Sequence, residues 1–379
     1  MQNDNIPLLR NTSITPGTRV LVRVDFNVPT ENGDVQGEFR ILRSLKTINY
    51  LREQKAKVIL VSHIESTSSL EPISRFLENY IPHTFITPLK SAESEEALCD
   101  MKNGDVVLLE NIRHESGEKK NDQALAQFLA SLADVYVNDA FSVSHRTHAS
   151  VVGVPQFLPG CAGFLLEEEV EKLSRALTPE KPLLFILGGA KFETKLPLIK
   201  KFQSIADTLV IGGALANDVY KARGLHVGNS LVSGEIDIAD IAHDEKVVVP
   251  DRVMVRREGE SIGVAVTDVN DEDSIEDATP DWIRGLADTI EQAKTILWNG
   301  PMGKYESGGK EGTLELARLI ADSEAYSIVG GGDTLAAIAE HDLEENFNFI
   351  STGGGAMLDF LANGTLPGID ALMNQGSNV

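Results

Sequence analysis

Two cysteines in 379 residues, Cys99 and Cys161, are too few for a disulfide framework or a structural zinc site, so both read as buried thiols. No stretch approaches 18 uninterrupted apolar residues, and the opening segment up to Asn11 has no apolar run of the secretory type. A soluble, cytoplasmic protein is expected. Basic residues are also scarce: 34 Lys and Arg stand against 57 Asp and Glu, a net charge of −23. A chain this acidic repels nucleic acid and anionic lipid over most of its surface, so neither is an expected partner. Any anionic ligand must be held by a local basic cluster. Two phosphate-binding signatures are absent as well. No segment reads G-x-x-x-x-G-K-[ST], which excludes a P-loop NTPase, and no G-x-G-x-x-G opens a helix after a strand. Nucleotide binding would have to rest on several loops acting together.

Hydrophobic residues make up 42% and charged residues 24%, the profile of a globular chain, and the length suits two domains. Short β-branched runs alternate with helical patterns throughout. Val20–Val24, Lys57–Val61, Val106–Leu109 and Val135–Val137 read as buried strands, with amphipathic stretches near Ile41–Gln54, Pro72–Tyr80 and Gln123–Leu132. The alternation resumes at Leu183–Leu187, Thr208–Ile211, Thr295–Trp298, Ser327–Val329 and Phe349–Ser351. Strand–helix alternation implies parallel sheets covered on both faces. A boundary falls near Gly163. Beyond it Leu166, Val170, Leu173 and Leu177 recur at helical spacing, either as a helix joining two domains or as an ordinary surface helix.

Glycines cluster in the second half, each group after a strand: Gly188-Gly189, Gly212-Gly213, Gly330-Gly331-Gly332 and Gly353-Gly354-Gly355. Glycine there lets backbone N–H groups approach a phosphate at a helix N-terminus, although one such turn alone needs glycine only for geometry. Lys191 and Lys195 are four apart and are expected on one helix face. Asp333 reads as a helix N-cap or as a Mg²⁺ ligand on a nucleotide. Trp298-Asn299-Gly300-Pro301-Met302-Gly303 is a rigid turn with Glu306 close behind, a carboxylate suited to ribose hydroxyls or simply part of a solvated loop. The first half has a different character. Arg23, Arg40, Arg113 and Arg146 lie at strand ends or loops, as do His63, His145 and His148, while Arg23, Asp25 and Asn27 share one side of an extended segment. Arginines gathered in so acidic a chain suggest recognition of phosphate and carboxylate by bidentate forks; taken singly, each is an ordinary surface ion pair.

Val22-Arg23-Val24-Asp25-Phe26-Asn27-Val28-Pro29, Leu109-Glu110-Asn111-Ile112-Arg113, Asn138-Asp139-Ala140-Phe141 with His145-Arg146, and Leu187-Gly188-Gly189-Ala190-Lys191 resemble signatures of the phosphoglycerate kinases. So do Trp298 to Gly303, Gly330 to Thr334, and Ser351 to Ala356, in family order from about residue 20 to 370. The resemblance implies an α/β protein of two Rossmann-like domains, each a parallel sheet covered by helices, facing across a cleft. Residues 1–163 would bind the phosphoglycerate and 164–364 the nucleotide, with 164–178 the interdomain helix and 365–379 returning to the first domain. The implied reaction is glycolytic: reversible phosphoryl transfer between 1,3-bisphosphoglycerate with ADP and 3-phosphoglycerate with ATP, assisted by Mg²⁺, in a cytoplasmic monomer.

The implied roles are as follows. Arg40, Lys191 and the amides around Gly354 serve the transferring phosphoryl. Arg23, Asp25, Asn27, Arg40, His63, Arg113, Arg146 and His148 serve the acid. Gly189, Lys191, Lys195, Gly212, Gly213, Asn299, Gly303, Glu306, Gly332, Asp333 and Thr334 serve the nucleotide, with Asp333 on the metal. Three departures stand out. His63 is followed by Ile64-Glu65-Ser66-Thr67 where the family has Leu-Gly-Arg-Pro, so a substrate-binding arginine is missing. Ser142-Val143 replaces Gly-Thr, and Phe192-Glu193-Thr194 replaces Val-Ser-Asp. Two alternatives remain open: a related kinase with a different phosphorylated acid as acceptor, and a non-catalytic nucleotide-binding scaffold.

Overall fold

A computed structural model describes residues 5–234 and 236–375. Its contacts divide the chain into two compact units: residues up to Glu171 together with those from Asn363 onward, and Lys172–Ala362.

The first unit is built on a six-stranded sheet, paired in parallel throughout. In spatial order its strands are Thr84–Ile86, Val106–Leu109, Lys57–Val61, Arg19–Arg23, Val135–Asn138 and Gly160–Ala162. Every residue of Val106–Leu109, and every residue but the first of Arg19–Arg23 and of Lys57–Val61, is buried, as a sheet covered on both faces requires. Val20, Val22, Val58, Leu60, Val106 and Leu108 pack with Ile41, Ile48 and Leu51 of the helix Phe39–Glu53 and with Ile73 and Leu77 of Glu71–Leu77. The chain leaves the first strand toward one side of the sheet and reaches Val135–Asn138 on the other. The switch point therefore lies outside the carboxyl ends of Arg19–Arg23 and Val135–Asn138, where open α/β sheets hold ligands. The helix Pro367–Met373 belongs to this unit: Ile369 and Leu372 are buried, the Gly368 amide donates to Ser144 O at 2.8 Å, and Gly160 and Gln375 exchange hydrogen bonds. Of the expected returning segment, residues 376–379 lie outside the described residues.

The second unit carries another all-parallel sheet, ordered Val247–Val248, Thr208–Ile211, Leu183–Leu187, Thr295–Asn299, Tyr326–Gly330 and Phe349–Ile350. Numbered along the chain this is 3-2-1-4-5-6, the dinucleotide-fold order, with its switch point between Leu183–Leu187 and Thr295–Asn299. One part departs from strand–helix alternation. Arg252–Arg257, Glu260–Ala265 and Ser274–Ala278 form a separate antiparallel sheet. Glu258 and Gly259, both at positive φ (51° and 87°), join the first two strands in a two-residue turn that favours a hairpin over a crossover. Val253, Val255 and Ile275 pack beneath it with Tyr220. The helix Phe164–Leu177 runs through the division between the units; Leu166, Val170 and Leu173 are buried along it.

Candidate active site

In the first unit the extended segment ends at Arg23, and the loop behind it folds back on itself. The Asp25 carboxylate accepts the Asn27 amide at 3.0 Å, is hydrogen-bonded by Ser142 Oγ, and lies 3.4 Å from Arg40 Nη1. Arg40 Nη1 also donates to Asn27 O at 3.0 Å, so Asp25, Asn27 and Arg40 are one unit of structure at the start of Phe39–Glu53. Ser142, where the family has glycine, is thereby locked to Asp25.

Arg23 is not at the surface of this cluster but wholly buried beneath it. Its Nε donates to Ser150 Oγ at 2.9 Å, Nη1 to Val24 O, and Nη2 to His63 Nδ1 at 3.1 Å. Ser150 passes the interaction on: its hydroxyl and amide donate to the two oxygens of fully buried Glu118 at 2.6 and 2.9 Å. Desolvation pulls the Arg23 pKa down, and the charges of Glu118 and Asp25 oppose it. Arg23 is thus a positioning residue. An arginine has only donors, so His63 Nδ1 must accept, which leaves the proton on Nε2 of a neutral ring. Burial first, then the nearby charges of Arg23, Arg113 and Arg146, hold the His63 pKa far below the ordinary imidazole value. His148 is held down to about 4 by burial, Arg113 and Arg146, in that order, and stays neutral beside Glu118, 3.8 Å away.

Around these neutral rings stand arginines with part of their hydrogen-bonding capacity unused. Arg113 donates from Nη1 to Glu65 at 2.8 Å, but its buried Nε and Nη2 have no hydrogen-bond partner; neither do Arg146 Nε and His148 Nδ1. Orphaned buried donors are uncommon in folded chains and mark a place for an acceptor the chain does not supply. Arg43, three residues beyond Arg40 on the same helix, is engaged by Glu168, with Nη2 on its carboxylate at 2.9 Å.

In the second unit the glycine loops stack on one another at the switch point. The Gly188 amide donates to Asn299 O at 2.8 Å, Gly189 to Pro301 O at 3.0 Å, Gly212 to Leu187 O at 2.9 Å and Gly213 to Met302 O at 3.0 Å. A Cβ on Gly188 would lie 2.0 Å from Pro301 O, and one on Gly213 2.7 Å from Gly189 N, so these glycines serve the close packing of loop against loop. Their amides are used within the stack rather than left for a phosphate. Gly303 is pressed against Asp277 in the same way. Buried Trp298 donates from Nε1 to Gly300 O at 2.9 Å, and buried Asn299 reaches Met357 Sδ at 3.8 Å, which fix the turn above the sheet.

The other two glycine loops are open. Gly331, at φ 108°, is the N-cap of Gly332–Ala339 with no side-chain cap bond, so Asp333 sits in the first turn and does not cap it. A Cβ on Gly332 would meet nothing, and one on Gly354 would lie 3.2 Å from Gly331 Cα, so the N-termini of Gly332–Ala339 and Gly354–Asn363 converge. Two helix N-termini side by side form an anion-binding surface. Thr334 Oγ1 ties this corner to the neighbouring turn by accepting the Gly300 amide at 3.0 Å. Lys191 and Lys195 do not share a helix face. Lys191 holds a left-handed φ of 63° as N-cap, exposed, while Lys195 lies inside Phe192–Ile205 and donates to Gly188 O at 2.6 Å. Burial lowers the Lys195 pKa to about 8 despite the opposing charge of Asp333. Glu306 is exposed in the short turn Tyr305–Ser307. One free carboxylate beside an anion-binding corner is a donor set that fits Mg²⁺ carried on phosphates, which needs few protein ligands.

The family profile for phosphoglycerate kinase matches residues 11–364. The chain belongs to the phosphoglycerate kinase family. It is 41% identical to the phosphoglycerate kinase of Pelotomaculum thermopropionicum, over 95% of this chain and 97% of that one. It is 42% identical to that of Moorella thermoacetica, over 93% and 96%. Among solved structures, phosphoglycerate kinase from Coxiella burnetii superposes with a TM-score of 0.83 at 36% identity, covering 97% of this chain and 98% of that one. The enzyme from Pyrococcus horikoshii gives 0.85 at 30% identity, with the same coverage. Membership in the phosphoglycerate kinase family makes the chain a kinase of phosphotransferase type whose other substrate is a nucleotide. Among the described residues no helix is long and apolar enough to cross a membrane. Glu118, Ser150 and Tyr136, whose hydroxyl donates to Ser150 O at 2.8 Å, were not singled out from the sequence. Only the tertiary fold buries them beside Arg23.

Proposed function

We propose that this chain catalyses reversible phosphoryl transfer between 1,3-bisphosphoglycerate with ADP and 3-phosphoglycerate with ATP, as a cytoplasmic monomer. The observation that carries the reading is the set of buried, unpartnered nitrogens on Arg113, Arg146 and His148, together with a neutral His63 ring whose Nδ1 accepts from Arg23 and whose Nε2 carries the proton. Such a set takes a small, highly charged anion. Arg113, Arg146 and His148 bind the acid's phosphate, with His63 Nε2–H as a further donor. Asp25 and Asn27 hold Arg40 and orient the acid's remaining polar groups; Arg23 acts through His63.

In the second unit Lys195 and the amides at the head of Gly332–Ala339 take the nucleotide phosphates, and Glu306 faces the ribose. Gly354 and Lys191 serve the transferring group. Asp333 would hold Mg²⁺, which when bound neutralises phosphate charge. The acceptor carboxylate is already ionised at neutral pH, so no general base is needed. Catalysis is positioning plus charge neutralisation, with Arg40 and Lys191 opposite the charge of the transferring phosphoryl.

The test is direct. Purified protein with 3-phosphoglycerate and MgATP should release ADP in a coupled assay. Arg40→Ala and Lys191→Ala should each lower kcat by on the order of 10² or more while changing KM little. No turnover with 3-phosphoglycerate, but turnover with another phosphorylated carboxylic acid, would move the reading to a related kinase. Near-wild-type kcat in either variant would remove that residue from the transition state.

A further inference from the structure

Glu65 is half exposed, yet its carboxylate reaches inward to Arg113, whose own side chain is only 7% exposed. The loop that carries Glu65 is pinned at several points. The Glu65 amide donates to Asn27 Oδ1 at 2.9 Å, the Asn111 side chain accepts the Ile64 amide at 3.3 Å and donates to Ile64 O at 2.9 Å, and Ser66 Oγ donates to Val28 O at 2.8 Å. The backbone that carries the carboxylate is therefore fixed, which keeps Glu65 within reach of Arg113. The carboxylate takes one end of the Arg113 guanidinium, Nη1, and leaves the side-on edge, Nε with Nη2, buried and unpartnered. An anion arriving at that edge meets an arginine already half compensated, with a negative charge on the other end of the same guanidinium.

We propose that Glu65 is a specificity-determining residue: a tethered counter-anion on Arg113 that competes with the acid's phosphate and sets its affinity. The proposal rests on the assignment of the acid to this cluster. Competition for one guanidinium weakens binding of a dianion more than binding of a monoanion, because repulsion from Glu65 scales with the ligand's charge. Glu65 therefore lowers affinity for 3-phosphoglycerate and narrows the advantage of highly charged ligands over weakly charged ones. Two features separate competition from mere support of Arg113. Glutamine keeps an oxygen for Nη1 and deletes only the charge, and alanine deletes both.

The experiment measures KM for 3-phosphoglycerate and for MgATP in wild type, Glu65→Gln and Glu65→Ala. Binding of inorganic sulfate and of chloride is followed as competition against 3-phosphoglycerate. Glu65→Gln should lower KM for the acid roughly three- to tenfold and leave KM for MgATP unchanged. Glu65→Ala should lower it as well, and inhibition by sulfate should strengthen in both variants more than inhibition by chloride. A KM that is unchanged in Glu65→Gln, or that rises in Glu65→Ala while Glu65→Gln stays at the wild-type value, overturns the proposal and leaves Glu65 a support for Arg113. A wild-type protein inactive with 3-phosphoglycerate overturns the underlying assignment instead.

Discussion

At the scale of single residues, the candidate side chains were legible as types and positions, but their connections were not. Arg23, His63, Arg113 and Arg146 announce an anion site by their scarcity in a chain of net charge −23. Nothing in the sequence separates Arg23, buried against Ser150 and His63, from Arg113, whose side-on edge is buried without a partner. That distinction depends on which atoms are covered, a tertiary fact. Lys195 shows the same limit. Its spacing from Lys191 suggested a shared helix face, whereas Lys191 is the left-handed, exposed N-cap and the half-buried Lys195 donates to Gly188 O. Burial gives Lys195 a pKa of about 8. As pH rises through that value the free enzyme loses a positive charge from its phosphate corner. The nucleotide's kcat/KM should therefore carry a descending limb near pH 8. In kcat the limb should move to higher pH, because bound polyphosphate favours the charged amine. Lys195→Met should abolish the limb along with most activity. A wild-type kcat/KM that stays flat through pH 9 would show that Lys195 keeps its proton or does not meet the nucleotide.

Among elements, the buried parallel strands were readable from β-branched runs, and the helices Phe39–Glu53, Glu71–Leu77 and Gln123–Ser131 from their apolar spacing. The short edge strands Thr84–Ile86, Gly160–Ala162 and Val247–Val248 were not, since three or two residues carry no period. The hairpin at Glu258-Gly259 had a signal, the turn itself, outweighed by the expectation of continued alternation. The helix Phe164–Leu177 starts on a device the pattern hid. Asp139 Oδ1 accepts the Leu165 amide at 2.8 Å from a fully buried position. A carboxylate at a helix N-terminus is ordinarily favoured in its charged form. Here burial outweighs that, raising the pKa to about 7 against hydrogen bonds from Thr47, Leu165 and Leu166. The native state then keeps a proton that the unfolded chain has lost from about pH 4 upward, so this group's contribution to stability falls as pH rises through pH 4 to 7. His148, with its folded pKa near 4, acts with the opposite sign between pH 4 and 6.5, so the two must be separated by difference. In denaturant unfolding, Asp139→Asn should become progressively more stable relative to wild type from pH 5 to 8, by about 1–3 kcal/mol. A difference that does not vary with pH would mean that Asp139 ionises normally in the native state.

Taken whole, the chain is strongly negative, and Arg23, Arg113 and Arg146 form a local cluster whose charges all act on His63. Chain order adds a second property. The first unit is assembled from both parts of the sequence that flank the second, because residues from Asn363 onward belong with those before Glu171. The helix Pro367–Met373 and Leu366 just before it supply buried Leu366, Ile369 and Leu372, and the close approach of Gly368 to Val151, Ser144 and Asn138 leaves no room for a side chain there. Removing three buried aliphatic side chains, each worth about 2–5 kcal/mol in a core, exceeds or consumes the stability of an ordinary domain. The same cut removes no residue of the second unit, whose buried strands Leu183–Leu187 and Thr295–Asn299 lie between Lys172 and Ala362. A chain ended after Asn363 should therefore lose amide-exchange protection at Arg19–Arg23, Lys57–Val61 and Val135–Asn138 while Leu183–Leu187, Thr208–Ile211 and Thr295–Asn299 remain protected. It should still bind ADP, and 3-phosphoglycerate binding should vanish. Equal loss of protection in both sheets would mean that the units fold as one cooperative body. Undiminished protection in the first would mean that Pro367–Met373 is a covering rather than part of its core.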